Sequence, residues 1–329
     1  MMISRAAILP VFALAVMINT SFAASFKTAD ANLSDSINLA DPTIFYDQGT
    51  YYLYGTGSDK GFPVYTSKDL KTWKGPAGKK KGLALLKGDS YGTQGFWAPQ
   101  VFKHNNKFYM AYTANEHIAI AESDSPLGPF IQHHTDTVSG NGKQIDPYVF
   151  IDDDEKKYLY HVRLNKGNRL YVAEMKDDFS DIKPETVREC LSAVEPWENT
   201  ENTEWPVSEG PTVIKRGKLY YMFYSANDFR NINYAVGYAV SETPYGPWKK
   251  HAGNPIISKG NIGFNGSGHG DLLKTKKGDF YYVLHTHKSD SKVSPRKTGI
   301  VKIKFVKNGS DPDKVIIQKG SFSFLKLLP

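Results

Sequence analysis

Residues 40–56 read ADPTIFYDQGTYYLYGT, and the pattern returns four more times along the chain: APQVFKHNNKFYMAYTA from Ala98, DPYVFIDDDEKKYLYHVR from Asp146, GPTVIKRGKLYYMFYSAN from Gly210 and GDLLKTKKGDFYYVLHTH from Gly270. Each copy joins an apolar run to an aromatic-rich run through a turn of Gly, Asn, Asp or Lys, which predicts two antiparallel strands and a hairpin. A further strand with an outer turn follows in four copies, over residues 64–73, 118–130, 170–182 and 236–248. The aromatics that close three of these turns, Trp73, Phe130 and Trp248, are expected to pack between repeats. Five units of this length predict an all-β, five-bladed β-propeller, with four-stranded antiparallel blades around a central channel.

A ring brings the starts of its inner strands onto one axis. Aligning the copies on Pro42, Pro99, Pro147, Pro211 and Asp271 puts Asp41 and Asp146 one residue before the reference point and Trp97, Glu209 and His269 two before. Three carboxylates, a histidine and a tryptophan are therefore expected at one channel mouth. Asp-Pro is also an ordinary turn pair, and Asp311-Pro312 lies outside the repeat register, whereas Asp41 and Asp146 lie within it. Glu209 has no turn role. Cleaving a glycosidic bond needs one carboxylic acid to protonate the leaving oxygen and one carboxylate to act as base or nucleophile. These three residues can supply that pair.

The chain has 329 residues, a net charge of +7 and one cysteine, Cys190. Arg5, an apolar stretch over residues 6–18 and small residues at Ser21 and Ala23 predict an export signal over residues 1–23, with the propeller occupying residues 24–329. The apolar stretch is shorter than the roughly 20 residues a membrane span needs. A periplasmic or secreted monomer without a membrane span is the expectation. The excess lysines sit in turns and at strand edges (Lys79, Lys80, Lys81, Lys276, Lys277), where they discourage sheet-to-sheet association. No basic stripe interleaved with exposed aromatics is present, so nucleic acid is not expected as a partner. The one long irregular stretch, residues 189–208, precedes Glu209 and carries Glu195, Glu198, Glu201, Glu204, Trp197 and Trp205. It reads either as a solvated insertion or as a wall over the channel. Its glutamates, together with Asp146, are expected to repel charge on Glu209 and keep that residue protonated.

Five stretches, in order, resemble glycoside hydrolase family 43: ADPTI at residues 40–44, FWAPQV at 96–101, IDPYVF at 145–150, SEGPTV at 208–213 and GHGDLL at 268–273. The resemblance implies a five-bladed propeller that hydrolyses arabinose- or xylose-containing glycans with inversion. It also implies Asp41 as general base, Glu209 as general acid and Asp146 as the carboxylate that raises and orients the acid. Trp97 is a plausible sugar platform or a packing residue. Arg296 resembles an arginine that reaches substrate hydroxyls. His269 is implied to organise the channel, in some members through a calcium ion or its waters, so a structural calcium is allowed and no cofactor is required. Gln100 stands where an acidic residue is common. The fructoside-cleaving propellers carry WMNDPNG, RDP and EC motifs, which differ from NLADPTI, IDP and SEGP here. Exo action by an α-L-arabinofuranosidase or β-xylosidase is the leading expectation. An endo-acting arabinanase or xylanase, and a non-catalytic sugar-binding propeller, are the alternatives.

Overall fold

The structure is a computed structural model that describes residues 36–138, 140 and 142–328; the export signal expected over residues 1–23 lies outside them. Five antiparallel sheets follow one another in chain order. Their inner strands are Ala40–Asp47, Trp97–His104, Gln144–Ile151, Ser208–Arg216 and Gly268–Lys274, and each pairs with the second strand of its own repeat. Among the described residues no helix is long and apolar enough to cross a membrane.

Blades three and four carry four strands in sequential order, and blade five carries four in sequential order plus a short fifth, Ser323–Phe324, paired with its third. Blades one and two depart from the expected four: each has three laddered strands, and single bridges (Thr66 to Lys74, Glu122 to Ile131) stand in for the outer one. In blade two the outer segment contains Pro126 and Pro129, which have no N–H to give to a ladder. Aromatic and β-branched residues fill the spaces between blades. Trp73 and Phe130 are fully buried, and Phe130 joins Tyr54, Phe62, Met110 and Tyr112 between blades one and two. Trp248 meets Tyr160 edge-on at 6.2 Å between blades three and four. Gln100 gives and takes a hydrogen bond with the Val149 backbone (3.0 and 2.7 Å), pegging the inner strand of blade two to that of blade three.

The two ends of the described chain lie together. Lys326–Leu327 pairs in parallel with Thr72–Trp73 at the edge of blade one. Ile37 N–H donates to Leu325 O (3.0 Å), and the Ile37 carbonyl accepts from Thr298 N–H of blade five (2.9 Å). The Thr298 hydroxyl also bridges the N–H and carbonyl of Leu39 at 3.0 and 2.9 Å. The ring is thus closed between blades five and one by residues from both ends.

Every inner strand begins with a bulge. The ladder slips between Ala40 and Thr43, Trp97 and Gln100, Ile145 and Tyr148, Glu209 and Thr212, and Gly268 and Asp271. At each slip one residue takes a left-handed backbone: Asp41 (φ 47°), Ala98 (46°), Asp146 (57°), Gly210 (60°) and His269 (39°). A bulge re-aims side chains, and here it turns the first residues of all five strands toward the axis. The bulges also correct the alignment of blade five. His269 occupies the place of Asp41 and Asp146, while Gly270, not Asp271, takes the place of the prolines. A Cβ on Gly270 would lie 1.7 Å from the Val283 carbonyl oxygen, so glycine is required there and the proline landmark is lost. Asp271 belongs one layer deeper, with Thr43, Gln100, Tyr148 and Thr212.

Candidate active site

The left-handed bulge residues expose N–H groups that need acceptors. Four of the five acceptors come from the second strand of the preceding blade. Thr56 accepts from Ala98 (2.9 Å), Thr113 from Asp146 (3.0 Å), Ser225 from His269 (2.8 Å) and His285 Nδ1 from Asp41 (3.1 Å). Blade three breaks the series, because the apolar Val162 pairs with Ile145 in the register that Thr56, Thr113, Ser225 and His285 hold elsewhere. The Gly210 N–H is taken instead by Asp146 Oδ2 at 3.2 Å. Asp146 is thereby tied to the backbone of the residue that follows Glu209. Gly210 itself must lack a side chain: its φ is positive, and a Cβ would sit 2.8 Å from the His269 ring.

Asp41 accepts from Thr56 Oγ1 at Oδ2 (2.7 Å) and from Arg296 Nη1 at Oδ1 (3.1 Å). His269 Nδ1 lies 3.4 Å from Asp41 Oδ1 and 3.9 Å from Asp146 Oδ2. Glu209 accepts from the Tyr234 hydroxyl at Oε1 (2.8 Å) and from Asn168 Nδ2 at Oε2 (2.9 Å). All three carboxylates and His269 are buried at the base of a cavity of about 400 Å³, whose lining also includes Trp97, Trp205, Phe229 and Arg296. The six residues singled out from sequence therefore share one cavity.

Their electrostatics diverge. Burial alone would raise the Asp41 pKa, but Arg296, His269, His285 and the Thr56 hydroxyl outweigh it and hold Asp41 well below the carboxylate range. Glu209 is pushed up to about 7, first by burial and next by the charge of Asp146, against the lowering influence of His269 and Tyr234. Asp146 is raised by burial and by Asp41, partly offset by His269 and the Gly210 N–H. Burial would lower His269, but Asp146, Asp41 and Glu209 together raise it above the ordinary imidazole value. The four loop glutamates are not among the groups that raise Glu209. Glu198 is fully buried and turned away, paired to Lys250 Nζ (2.6 Å) and accepting from the Tyr224 hydroxyl (2.6 Å). The stretch over residues 189–208 is thus pinned to blade four by a buried ion pair, and its Trp205 and Val207 wall the cavity.

Trp97 is 38% exposed and Trp205 48% exposed, so both offer ring surface to the cavity. Arg296 lies over the Phe229 ring at 4.5 Å and reaches the Asp41 carboxylate while lining the cavity. Among the described residues no group of three or more His, Cys, Asp or Glu is disposed to hold a metal ion. Sequence reasoning missed Tyr234, Asn168, Thr56 and His285. The last two had a signal, since Thr56, Thr113, Ser225 and His285 put a polar residue at the last or next-to-last position of the second strand in four repeats. Asn168 and Tyr234 had none, because they lie outside the repeated stretches.

Known proteins resemble the chain over most of its length. The profile of glycosyl hydrolases family 43 matches residues 36–310. A xylosidase/arabinosidase of Butyrivibrio fibrisolvens is 26% identical over 258 residues, covering 74% of this chain and 48% of that protein. A xylan 1,3-beta-xylosidase of a Vibrio species is 25% identical over 268 residues, covering 73% of this chain and 46% of that protein. The chain thus spans about half the length of these relatives. Among solved structures, an endo-1,4-beta-xylanase from Bacteroides thetaiotaomicron VPI-5482 is 40% identical with a TM-score of 0.82, covering 89% of this chain and 98% of that one. A thermostable family-43 glycoside hydrolase is 35% identical with a TM-score of 0.76, covering 87% and 94%. With the five motifs in place around one axis and the family profile running through all five blades, the chain belongs to family 43 of the glycosyl hydrolases.

Proposed function

We propose that the chain is an inverting glycoside hydrolase acting on xylose- or arabinose-containing glycans. One observation carries the reading: two carboxyl groups in one cavity are driven apart in pKa, with Asp41 kept ionised and Glu209 kept protonated up to about pH 7. Asp41 takes a proton from a water on one face of the sugar ring, and that water attacks the anomeric carbon. Glu209 gives its proton to the leaving oxygen on the opposite face. Asp146 holds the acid's proton by its charge and fixes the backbone at Gly210. Arg296 and His269 balance the carboxylates, and Trp97 and Trp205 offer faces for sugar rings. Export of the protein belongs to the proposal and rests on the pattern of residues 1–23.

Exo action is supported by the relatives described as xylosidase/arabinosidase. A second reading, endo-acting xylanase, is favoured by the 40% identical structure of that description. Glu209→Gln is the test of chemistry. Turnover of substrates with poor leaving groups should fall roughly 10²–10⁴-fold, with activated aryl glycosides spared; equal losses on both would remove Glu209 from the acid role. Product sizes from xylan and arabinan separate the exo and endo readings.

A further inference from the structure

Glu209 is held on both oxygens, and the two partners differ in what they permit. Tyr234 is fully buried, and its hydroxyl has the Glu209 carboxylate as its acceptor. Reversing that bond would leave a buried O–H without an acceptor among the described residues, which is costly. Tyr234 therefore donates to Oε1 and does not accept the acid's proton, which leaves Asn168, at Oε2, as the partner that could accept it. An asparagine amide can face a carboxyl group in two ways. With its carbonyl toward Oε2, Asn168 would accept the acid's proton in a hydrogen bond and hold it away from a substrate. With its NH₂ group toward Oε2, it can only donate, and the proton must point elsewhere.

The choice between the two is made by Trp205. An indole N–H is a donor and never an acceptor. Trp205 Nε1 lies 2.9 Å from Asn168 Oδ1, so the carbonyl must face Trp205 and the NH₂ must face Glu209. Asn168 is further held by its backbone, whose carbonyl accepts from Ser208 Oγ (3.1 Å) and whose N–H donates to Pro206 O (3.0 Å). The same indole is 48% exposed on the wall of the cavity.

We propose that Trp205 is a positioning residue for proton delivery: its N–H locks the Asn168 amide in the orientation that leaves the Glu209 proton free for the leaving oxygen, while its ring faces the sugar. The proposal rests on Glu209 being the acid. Asp146, Asp41, His269 and Arg296 also face Glu209 or its carboxylate neighbours, whereas the side chains of Trp205 and Asn168 hydrogen-bond to each other and, through Asn168, to Glu209.

Trp205→Phe keeps an aromatic face and removes the donor. With xylo- or arabino-oligosaccharides, kcat should fall roughly 3- to 10-fold, the worth of one neutral hydrogen bond. KM should move less than kcat, and the dinitrophenyl glycoside of the same sugar should lose clearly less than the oligosaccharide, because its leaving group barely needs the proton. Because Trp205 acts through Asn168, Trp205→Phe should add nothing in an Asn168→Ala background. Equal losses on both substrates, a loss confined to KM, or additive effects in the double variant would overturn the proposal. Glu209→Gln run alongside separates the two layers. If it spares the activated glycoside and Trp205→Phe does not, only the positioning role fails. If Glu209→Gln loses equally on both substrates, the acid assignment fails first.

Discussion

Replacing Asp146 by Asn removes a negative charge while keeping the shape and an oxygen that can accept the Gly210 N–H. Glu209 stands at about 7 against an ordinary value of 4.5, raised first by burial and second by Asp146. A like charge at this range moves a carboxyl pKa by about one unit or more. His269 loses its strongest raising neighbour in the variant and keeps Asp41, 3.4 Å away, and Glu209 as the carboxylates that raise it. Burial is unchanged, so Glu209 should fall to about 6, still above its ordinary value. The sign follows directly: an acid that loses its proton earlier loses activity earlier as pH rises. With Glu209 as the protonated species, the active fraction at about pH 7 drops from about one half to about one tenth, a fivefold loss, and at about pH 5 hardly changes. The assay is kcat/KM for an unactivated oligosaccharide across about pH 4 to 9, with circular dichroism to confirm the fold. An alkaline limb that stays in place in a folded variant would refute the electrostatic role and leave Asp146 as a backbone anchor.

Arg296→Gln removes a cation whose Nη1 sits 3.1 Å from Asp41, so the base should bind protons more readily and the acidic limb of the same profile should move to higher pH. Proton NMR of the first product should show the inverted anomer, and the Asp41 and Glu209 carboxyl groups should lie roughly 6.5–9.5 Å apart in a substrate complex. Lys250→Met leaves Glu198 buried without its counter-charge and should cost roughly 3–5 kcal/mol in thermal or denaturant unfolding, whereas Lys156→Ala, at an exposed pair, should cost under about 1 kcal/mol.

The blades and the three carboxylates were legible because a repeat is a comparison the chain makes with itself. Asp41 and Asp146 stood out against Ala98 and Gly210 at matched positions, and Glu209 stood out against Ala40 and Ile145. Blade five misled by one residue, since Gly270 replaces the proline that marks the other four, and only the bulge at His269 restores the register. The source of the Glu209 shift was read half correctly: Asp146 contributes, but burial leads and no loop glutamate is among the main causes, Glu198 being paired with Lys250 instead. Tertiary hydrogen bonds such as Trp205 to Asn168 join residues 37 positions apart in the chain and leave no periodic trace.

The clasp between residues 36–39, residues 325–327 and blades one and five has a consequence for how the molecule comes apart. In an open stack each repeat leans only on its neighbours, so the terminal units fray first and unfolding can proceed piecemeal. Here no blade is terminal. Parting Lys326–Leu327 from Thr72–Trp73 gives up contacts on two blades at once and opens the axis on which Asp41 and Glu209 meet. Amide exchange in the inner strands of all five blades should therefore report one common opening free energy, and catalytic activity should vanish with the first loss of structure.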